Sequence, residues 1–414
     1  MKEIIRHNGL SMLDLYRDSD LIKVVTGVRR CGKSTLLRQY ARQLQDEGVA
    51  PETIHFYNFE DPFVRDESDS AKSWRIIFEQ IVAKLVSGTT NYIFIDEPQY
   101  IDGFELLLTG LHTNKQANLF VTGSNAHMLS SDLATILSGR HVELNLLPFS
   151  FMEYCQMRKI PLDEKFYDYG ALLNEYTYST SLPAGVALAD KGYPAIRNYI
   201  RSVYETVLHK DMAIRHNIGD MRAFDNVFKF VMAHLGTAIS PGGIARALKS
   251  DGKKTHNQTV EKYLSYLCDA FILYKASRYD IKGKAQLATQ EKYYLSDFGF
   301  RNALLGRDIA DDTGHLLENV VYLELLRRGN TVWIGKAGSY EVDFVAQRPD
   351  GGREYYQVAY TAPPGSETLQ RELRALLAIA DSFPKHLLTL DPANGYAENG
   401  ILRTNIAKWL MGNS

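Results

Sequence analysis

Along the first 150 residues, apolar positions gather in five short runs: Leu21–Gly27, Ile54–Phe59, Tyr92–Asp96, Leu119–Thr122 and Val142–Leu146. The first, Leu21–Gly27, is a β-branched run ending in glycine, as a strand buried on both faces would be. Helical patterns separate them, the clearest running from Lys33 to Glu47 and stopping at Gly48. Strands that alternate with helices predict a parallel sheet covered on both sides.

Past Pro148 the pattern turns helical and aromatic, to about Asp220. A different unit opens near Phe224, with a helix, the turn Ile239-Ser-Pro-Gly-Gly, two more helices and a basic strand-turn-strand. From about Gly306 a helix precedes strand signals at Trp333, Val342–Ala346 and Tyr355–Ala359. The 414 residues exceed one ordinary core. A net charge of −2 leaves any polyanion binding to a local patch. Cys31, Cys155 and Cys268 are odd in number and far apart, so they form neither a disulfide framework nor a zinc spacing, which suits a reducing cytoplasm. Met1–Asp20 has no signal-peptide core. No run approaches the roughly 18 apolar residues a membrane helix needs. A soluble cytoplasmic protein with no membrane partner is expected.

The first candidate chemistry lies at the end of the first strand. Gly27-Val-Arg-Arg-Cys-Gly32-Lys33-Ser34-Thr35 matches G-x-x-x-x-G-K-[ST] in full, after a predicted strand and opening a predicted helix. In such a P-loop, the backbone N–H groups of Gly27, Arg30, Cys31, Gly32 and Thr35 curl round phosphate oxygens. Lys33 faces the β- and γ-phosphates, Ser34 meets Mg²⁺, and the helix dipole points at the anion. The ligand this implies is a nucleoside triphosphate, ATP with Mg²⁺. The run Asn91-Tyr-Ile-Phe-Ile-Asp96-Glu97 delivers two carboxylates from a buried strand: Asp96 to the metal, Glu97 to orient and polarise water. Leu119–Asn125, set beside the P-loop strand, would bring Ser124 or Asn125 to the γ-phosphate or the water; helix N-capping fits the same residues. Arg140 fits an arginine finger and equally a surface position, while Arg29 and Arg30 are a second source of positive charge.

These motifs, with Ser138-Gly-Arg140 and Pro148-Phe-Ser-Phe-Met-Glu153, resemble the prokaryotic AAA+-type ATPases that carry a C-terminal domain of unknown function. Those are relatives of archaeal-type ATPases with winged-helix and nuclease-like tails. The resemblance covers nearly the whole chain; the shifts in pattern divide it into a P-loop ATPase core over 1–150, a helical lid over 151–223, a winged helix-turn-helix over 224–300 and a smaller nuclease-like α/β domain over 301–414. It implies Lys33, Ser34, Asp96 and Glu97 as nucleotide residues and Ser124 and Asn125 as sensors. Where such relatives often have Gly-Gly before Leu-Pro, this chain has Thr180-Ser181 before Leu182-Pro183.

Between Arg246 and Lys284 stand nine Lys or Arg against four acids, enough for phosphate contact by a winged helix. Asn257 and Gln258, opening the second helix, are placed to reach base edges. A winged helix used for protein contacts fits equally. In the last segment Glu318, Asp343 and Gln357 follow the order of a PD-(D/E)xK nuclease core, with Gln for the usual acid and Ala359 where lysine belongs. The missing lysine favours an inactive recognition module over a nuclease rescued by Lys385. The sum is an ATP-hydrolysing switch coupled to DNA, a protein partner or a homo-oligomer. A nucleotide-gated DNA-binding scaffold with slow hydrolysis, or an ATP-gated nuclease, fits the same motifs.

Overall fold

A computed structural model describes residues 3–61, 74–114, 117–124, 139–161, 168–252, 255–306, 313–392, 395–396 and 400–412. The chain forms two compact units, Lys2–Leu147 with Asp269–Phe271, and Pro148–Cys268 with Ile272–Ser414.

In the first unit β1 (Ile22–Thr26), β2 (Ile54–Asn58), β3 (Asn91–Asp96), β4 (Ala117–Gly123) and β5 (His141–Asn145) form a sheet of order β2-β3-β4-β1-β5, every pair parallel. Parallel neighbours need long crossovers, and the helices between strands supply them. One face carries Val24, Ile93, Ile95 and Val121 against Leu107, Leu108 and Leu111 of the helix Phe104–Thr113 and Ile77 and Ile81 of the helix Trp74–Val82. On the other, Phe94 and Phe120 stack with centroids 5.0 Å apart, and Tyr40 of the helix Lys33–Asp46 lies 5.2 Å from Phe120. Both faces are apolar, which is why the strands read as continuous runs. β4 lies between β1 and β3, so the carboxyl ends of all three finish side by side, where open parallel sheets bind ligands.

The second unit begins with helices. Phe151–Met157 is held by a reciprocal cap: Glu153 N donates to Ser150 Oγ at 3.1 Å and Ser150 N to Glu153 Oε2 at 2.8 Å. The segment 151–223, expected as a lid on the ATPase core, belongs to this second unit. The physical reason is Asp297, fully buried, whose carboxylate accepts from the hydroxyls of Thr180 (2.9 Å) and Ser181 (2.7 Å) and from the N–H groups of Ser181, Leu182 (3.1 Å) and Gly299 (2.7 Å). Thr180-Ser181 thus makes its turn through side-chain hydroxyls rather than glycine backbone.

Helices Met221–Ala233, Pro241–Ser250 and Asn257–Asp269 precede the hairpin of β6 (Leu273–Asp280) and β7 (Ala285–Leu295). Ser240 caps the second helix by accepting from Gly243 N at 3.2 Å. Beyond it come the helices Phe298–Leu305 and Thr313–Arg327, then β8 (Thr331–Ala337), β9 (Tyr340–Gln347), β10 (Arg353–Val358), the helix Glu367–Leu377, β11 (Lys385–Thr389), β12 (Gly395–Tyr396) and β13 (Leu402–Asn405). β8, β9 and β10 form an antiparallel meander, and β11 returns parallel to β10. The hairpin expected as the wing of a separate 224–300 domain continues this sheet: β6 pairs parallel with β8, giving the order β12-β13-β11-β10-β9-β8-β6-β7. Among the described residues no helix is long and apolar enough to cross a membrane.

Candidate nucleotide-binding site

The loop after β1 is shaped by two glycines. Gly27 has φ +143°, and a Cβ there would stand 2.2 Å from the carbonyl oxygen of Leu146. Gly32 (φ +108°) closes the loop in the left-handed region, and the helix Lys33–Asp46 starts from it. Lys33 is buried, its Nζ donating to the carbonyls of Gly27 (2.9 Å) and Val28 (3.4 Å) and lying 3.9 Å from Glu97 Oε1. Cys31 is fully buried and burial raises its thiol pKa, so its part in the loop is steric and through its backbone. Ser34 and Thr35 stand half-buried in the first helical turn and Arg30 is exposed, with φ +71°. Arg29 is drawn aside by an ion pair with Glu60 at 2.7 Å.

Opposite the loop, Asp96 ends β3 almost fully buried and Glu97 turns the chain with φ +54°, a conformation costing a non-glycine residue about 1–2 kcal/mol. Thr122 on β4 holds that turn, accepting from Glu97 N at 3.1 Å and donating to Asp96 Oδ1 at 2.5 Å. Burial pushes the Asp96 carboxyl up, the hydroxyls of Thr122 and Ser34 hold it down, Glu97 adds to the rise and Lys33 opposes it. A buried carboxylate beside a serine hydroxyl is a donor set that fits Mg²⁺, which prefers a few oxygen ligands and keeps its remaining places for phosphate and water. Glu97 Oε2 accepts from Ser124 Oγ at 3.1 Å and from Gln99 Nε2.

Arg6 was not singled out in the sequence, yet it braces the loop. Its Nη1 donates to Cys31 O at 3.1 Å, its Nη2 to Leu147 O at 2.7 Å, and its backbone N–H to Gln39 Oε1 at 3.1 Å. Arg6→Ala is expected to raise the KM for ATP about tenfold, equivalent to roughly 1.4 kcal/mol of lost preorganisation. An unchanged KM in steady-state assays would remove Arg6 from the site.

A family model described as an AAA domain matches residues 19–155, and one described as a domain of unknown function, DUF8612, matches 171–311. A protein of Haemophilus influenzae, described as uncharacterized, is 35% identical over 413 residues, covering 99% of this chain and 98% of that one. The chain belongs to the family of that protein, and its first domain is an AAA domain. A second relative, an uncharacterized protein of Methanocaldococcus jannaschii, is 25% identical over 368 residues, with 86% and 77% of the two chains covered. The Walker-type ATPase of Pyrococcus abyssi is 13% identical and covers 74% of this chain and 98% of its own, with a TM-score of 0.45, a likeness from which nothing further follows.

An AAA domain with this P-loop is of the P-loop ATPase type, and ATP binding is implied by it. Within the AAA domain the structure brings Lys33, Ser34, Asp96, Glu97 and Ser124 together at the strand ends. Asn125 lies outside the described residues. Arg140 is not brought to the group: it is exposed, its carbonyl accepts from Ile22 N at 2.9 Å, and it precedes β5 at the end of the sheet away from the loop. Five residues of strand span about 16 Å, so a finger role toward this AAA domain's own nucleotide is closed to it; a role in trans would require a second copy. Thr122 has one signal in the sequence, a hydroxyl at the polar end of a buried strand. For Arg6 there was no local signal.

Proposed function

We propose that this protein hydrolyses ATP and uses the cycle as a switch for a DNA partner held by residues 224–300. The observation that carries hydrolysis is Glu97, fixed by Thr122 in a left-handed turn 3.9 Å from Lys33, with Ser124 on its other oxygen. In this reading Lys33 neutralises the β- and γ-phosphates, while Ser34 and Asp96 hold Mg²⁺. Glu97 orients and polarises the attacking water, and Ser124 relays the state of the γ-phosphate through its hydrogen bond to Glu97.

For the partner, support comes from three helices followed by a hairpin, with Ile239 bridged to Glu291 of β7, as a winged helix is built. Asn257 and Gln258 open their helix exposed, and Arg246, Lys249, Lys262, Lys282 and Lys284 are exposed as well. The basic surface is smaller than the sequence count, because Lys275 pairs with Glu291 at 3.0 Å and Arg278 with Glu341 at 3.4 Å. Lys253 and Lys254 lie outside the described residues.

Steady-state ATP turnover with and without duplex DNA tests this. Duplex should stimulate turnover, and the variant Arg246→Glu/Lys249→Glu/Lys282→Glu should lose the stimulation while keeping basal turnover. Its DNA affinity should also depend less steeply on salt, because each phosphate contact contributes about 0.9 to the slope of log K against log salt. Turnover indifferent to DNA would remove DNA from the function and leave the winged helix to a protein partner.

A further inference from the structure

The second unit buries a group of charges where β7, β9 and the helix Thr313–Arg327 meet. Lys292 of β7 is 4% exposed, and its Nζ donates to Glu318 Oε1 and to Glu341 Oε1, each at 2.9 Å. Tyr294, on the same face of β7, donates its hydroxyl to the same Glu318 oxygen at 2.6 Å. Asp343 Oδ2 accepts from Val358 N at 2.8 Å. Gln357 accepts from Asp343 N at 3.3 Å and donates to Glu372 at 2.7 Å. Glu318, Asp343 and Gln357 are the residues that give this segment its nuclease-like order. The elements follow suit, with a helix, an antiparallel three-strand meander, a crossover helix and a strand parallel to the third.

Metal-dependent phosphodiester cleavage needs carboxylates with lone pairs left for a divalent cation, and a path for the phosphate. At Glu318 both are restricted. Glu318 is 6% exposed and one of its oxygens already has two donors. The other faces His315 Nδ1 at 3.5 Å and lies under Gly236, where an added Cβ would stand only 3.1 Å from it. Position 357 carries a neutral amide bonded at both ends. Among the described residues no group of three or more His, Cys, Asp or Glu is arranged to hold a metal ion.

The cation inside this group is Lys292. It comes from the hairpin and not from the strand after Gln357, where sequence reasoning looked for it. We propose that the Lys292 ammonium takes the place of the divalent cation in this nuclease-like core, making it a metal-independent, non-cleaving module whose carboxylates are held by a strand of the winged-helix hairpin. A buried ion of one sign is costly without its counterpart, whereas removing both together is tolerated. That asymmetry gives the test its form.

The full chain, free of nucleotide, is followed by thermal unfolding across a Mn²⁺ titration and assayed for cleavage of plasmid and single-stranded DNA with Mn²⁺. The wild type should show no Mn²⁺-dependent cleavage and no Mn²⁺-dependent stabilisation that Asp343→Asn removes. Lys292→Met should melt several degrees lower and regain much of that loss in millimolar Mn²⁺. The double variant Lys292→Met/Glu318→Gln should melt closer to the wild type and ignore Mn²⁺. If Lys292→Met is too unstable to purify, the double variant and the wild-type cleavage assay still decide. Mn²⁺-dependent cleavage by the wild type that Asp343→Asn abolishes would overturn the proposal, as would a double variant no more stable than Lys292→Met. Lys33→Ala, which disables the nucleotide loop, should leave the absence of cleavage and the effects of the Lys292 and Glu318 substitutions unchanged, so this inference and the ATPase reading fail separately.

Discussion

Glu97→Gln is expected to lower ATP turnover by about 10²–10⁴-fold, the range for losing a positioned general base, while ATP affinity stays near that of the wild type. The substitution keeps the volume of the side chain and the left-handed turn, which rests on the backbone bond from Glu97 N to Thr122 Oγ1. It removes the charge that draws a proton from water. Ser124 still finds an oxygen on the amide, so the geometry at the end of β4 should survive. Phosphate release measured beside nucleotide binding separates the two effects. Loss of binding together with turnover would mean that Glu97 supports the loop rather than the chemistry. Thr122→Val is the companion case: it leaves Glu97 N without its acceptor and Asp96 without one of its donors, and should impair turnover through misplacement of both acids.

Asp297→Ala is expected to cost at least about 3 kcal/mol, because it leaves several buried donors without an acceptor at about 1–3 kcal/mol each. The carboxylate gathers five donors from Thr180, Ser181, Leu182 and Gly299, groups drawn from residues more than a hundred positions apart and from its own helix start. Burial raises the Asp297 carboxyl and the Ser181, Thr180 and Gly299 donors oppose that rise, so the network rather than the charge alone sustains the site. With alanine the donors lose their shared acceptor. Thermal unfolding should show a lower transition for the second unit, with the first unit's nucleotide binding retained below it. A shift no larger than that of a surface substitution would mean that the turn at Thr180-Ser181 holds itself.

The parts of the fold written in local pattern were legible. The central strands of the first unit stood out because both faces of the sheet are covered there, so Val24 and Val25, or Phe94 and Ile95, are apolar whichever way they point. The P-loop was legible because its glycines and lysine are contiguous. What local pattern could not carry was neighbourhood. That β6 lies parallel to β8 is a fact about two strands more than fifty residues apart, each with an ordinary hairpin partner as well. Lys292 drew no notice in the sequence, since nothing adjacent marks it as the partner of Glu318. Asp297 read locally could only be a helix cap, which it is through Gly299, while its other donors come from the segment around Ser181. Arg6 spans 141 residues to Leu147 and looks, in sequence, like any charge near an amino terminus.

The most direct test of the central claim compares ATP binding and Mg²⁺-dependent phosphate release by the wild type and by Lys33→Ala. The structure places the Lys33 ammonium among the loop carbonyls and 3.9 Å from Glu97, where a triphosphate would meet it. Binding and release by the wild type, both lost in Lys33→Ala with the fold intact, is the result expected. Release that is equal in the two proteins, or a wild type that binds no ATP, would contradict the account.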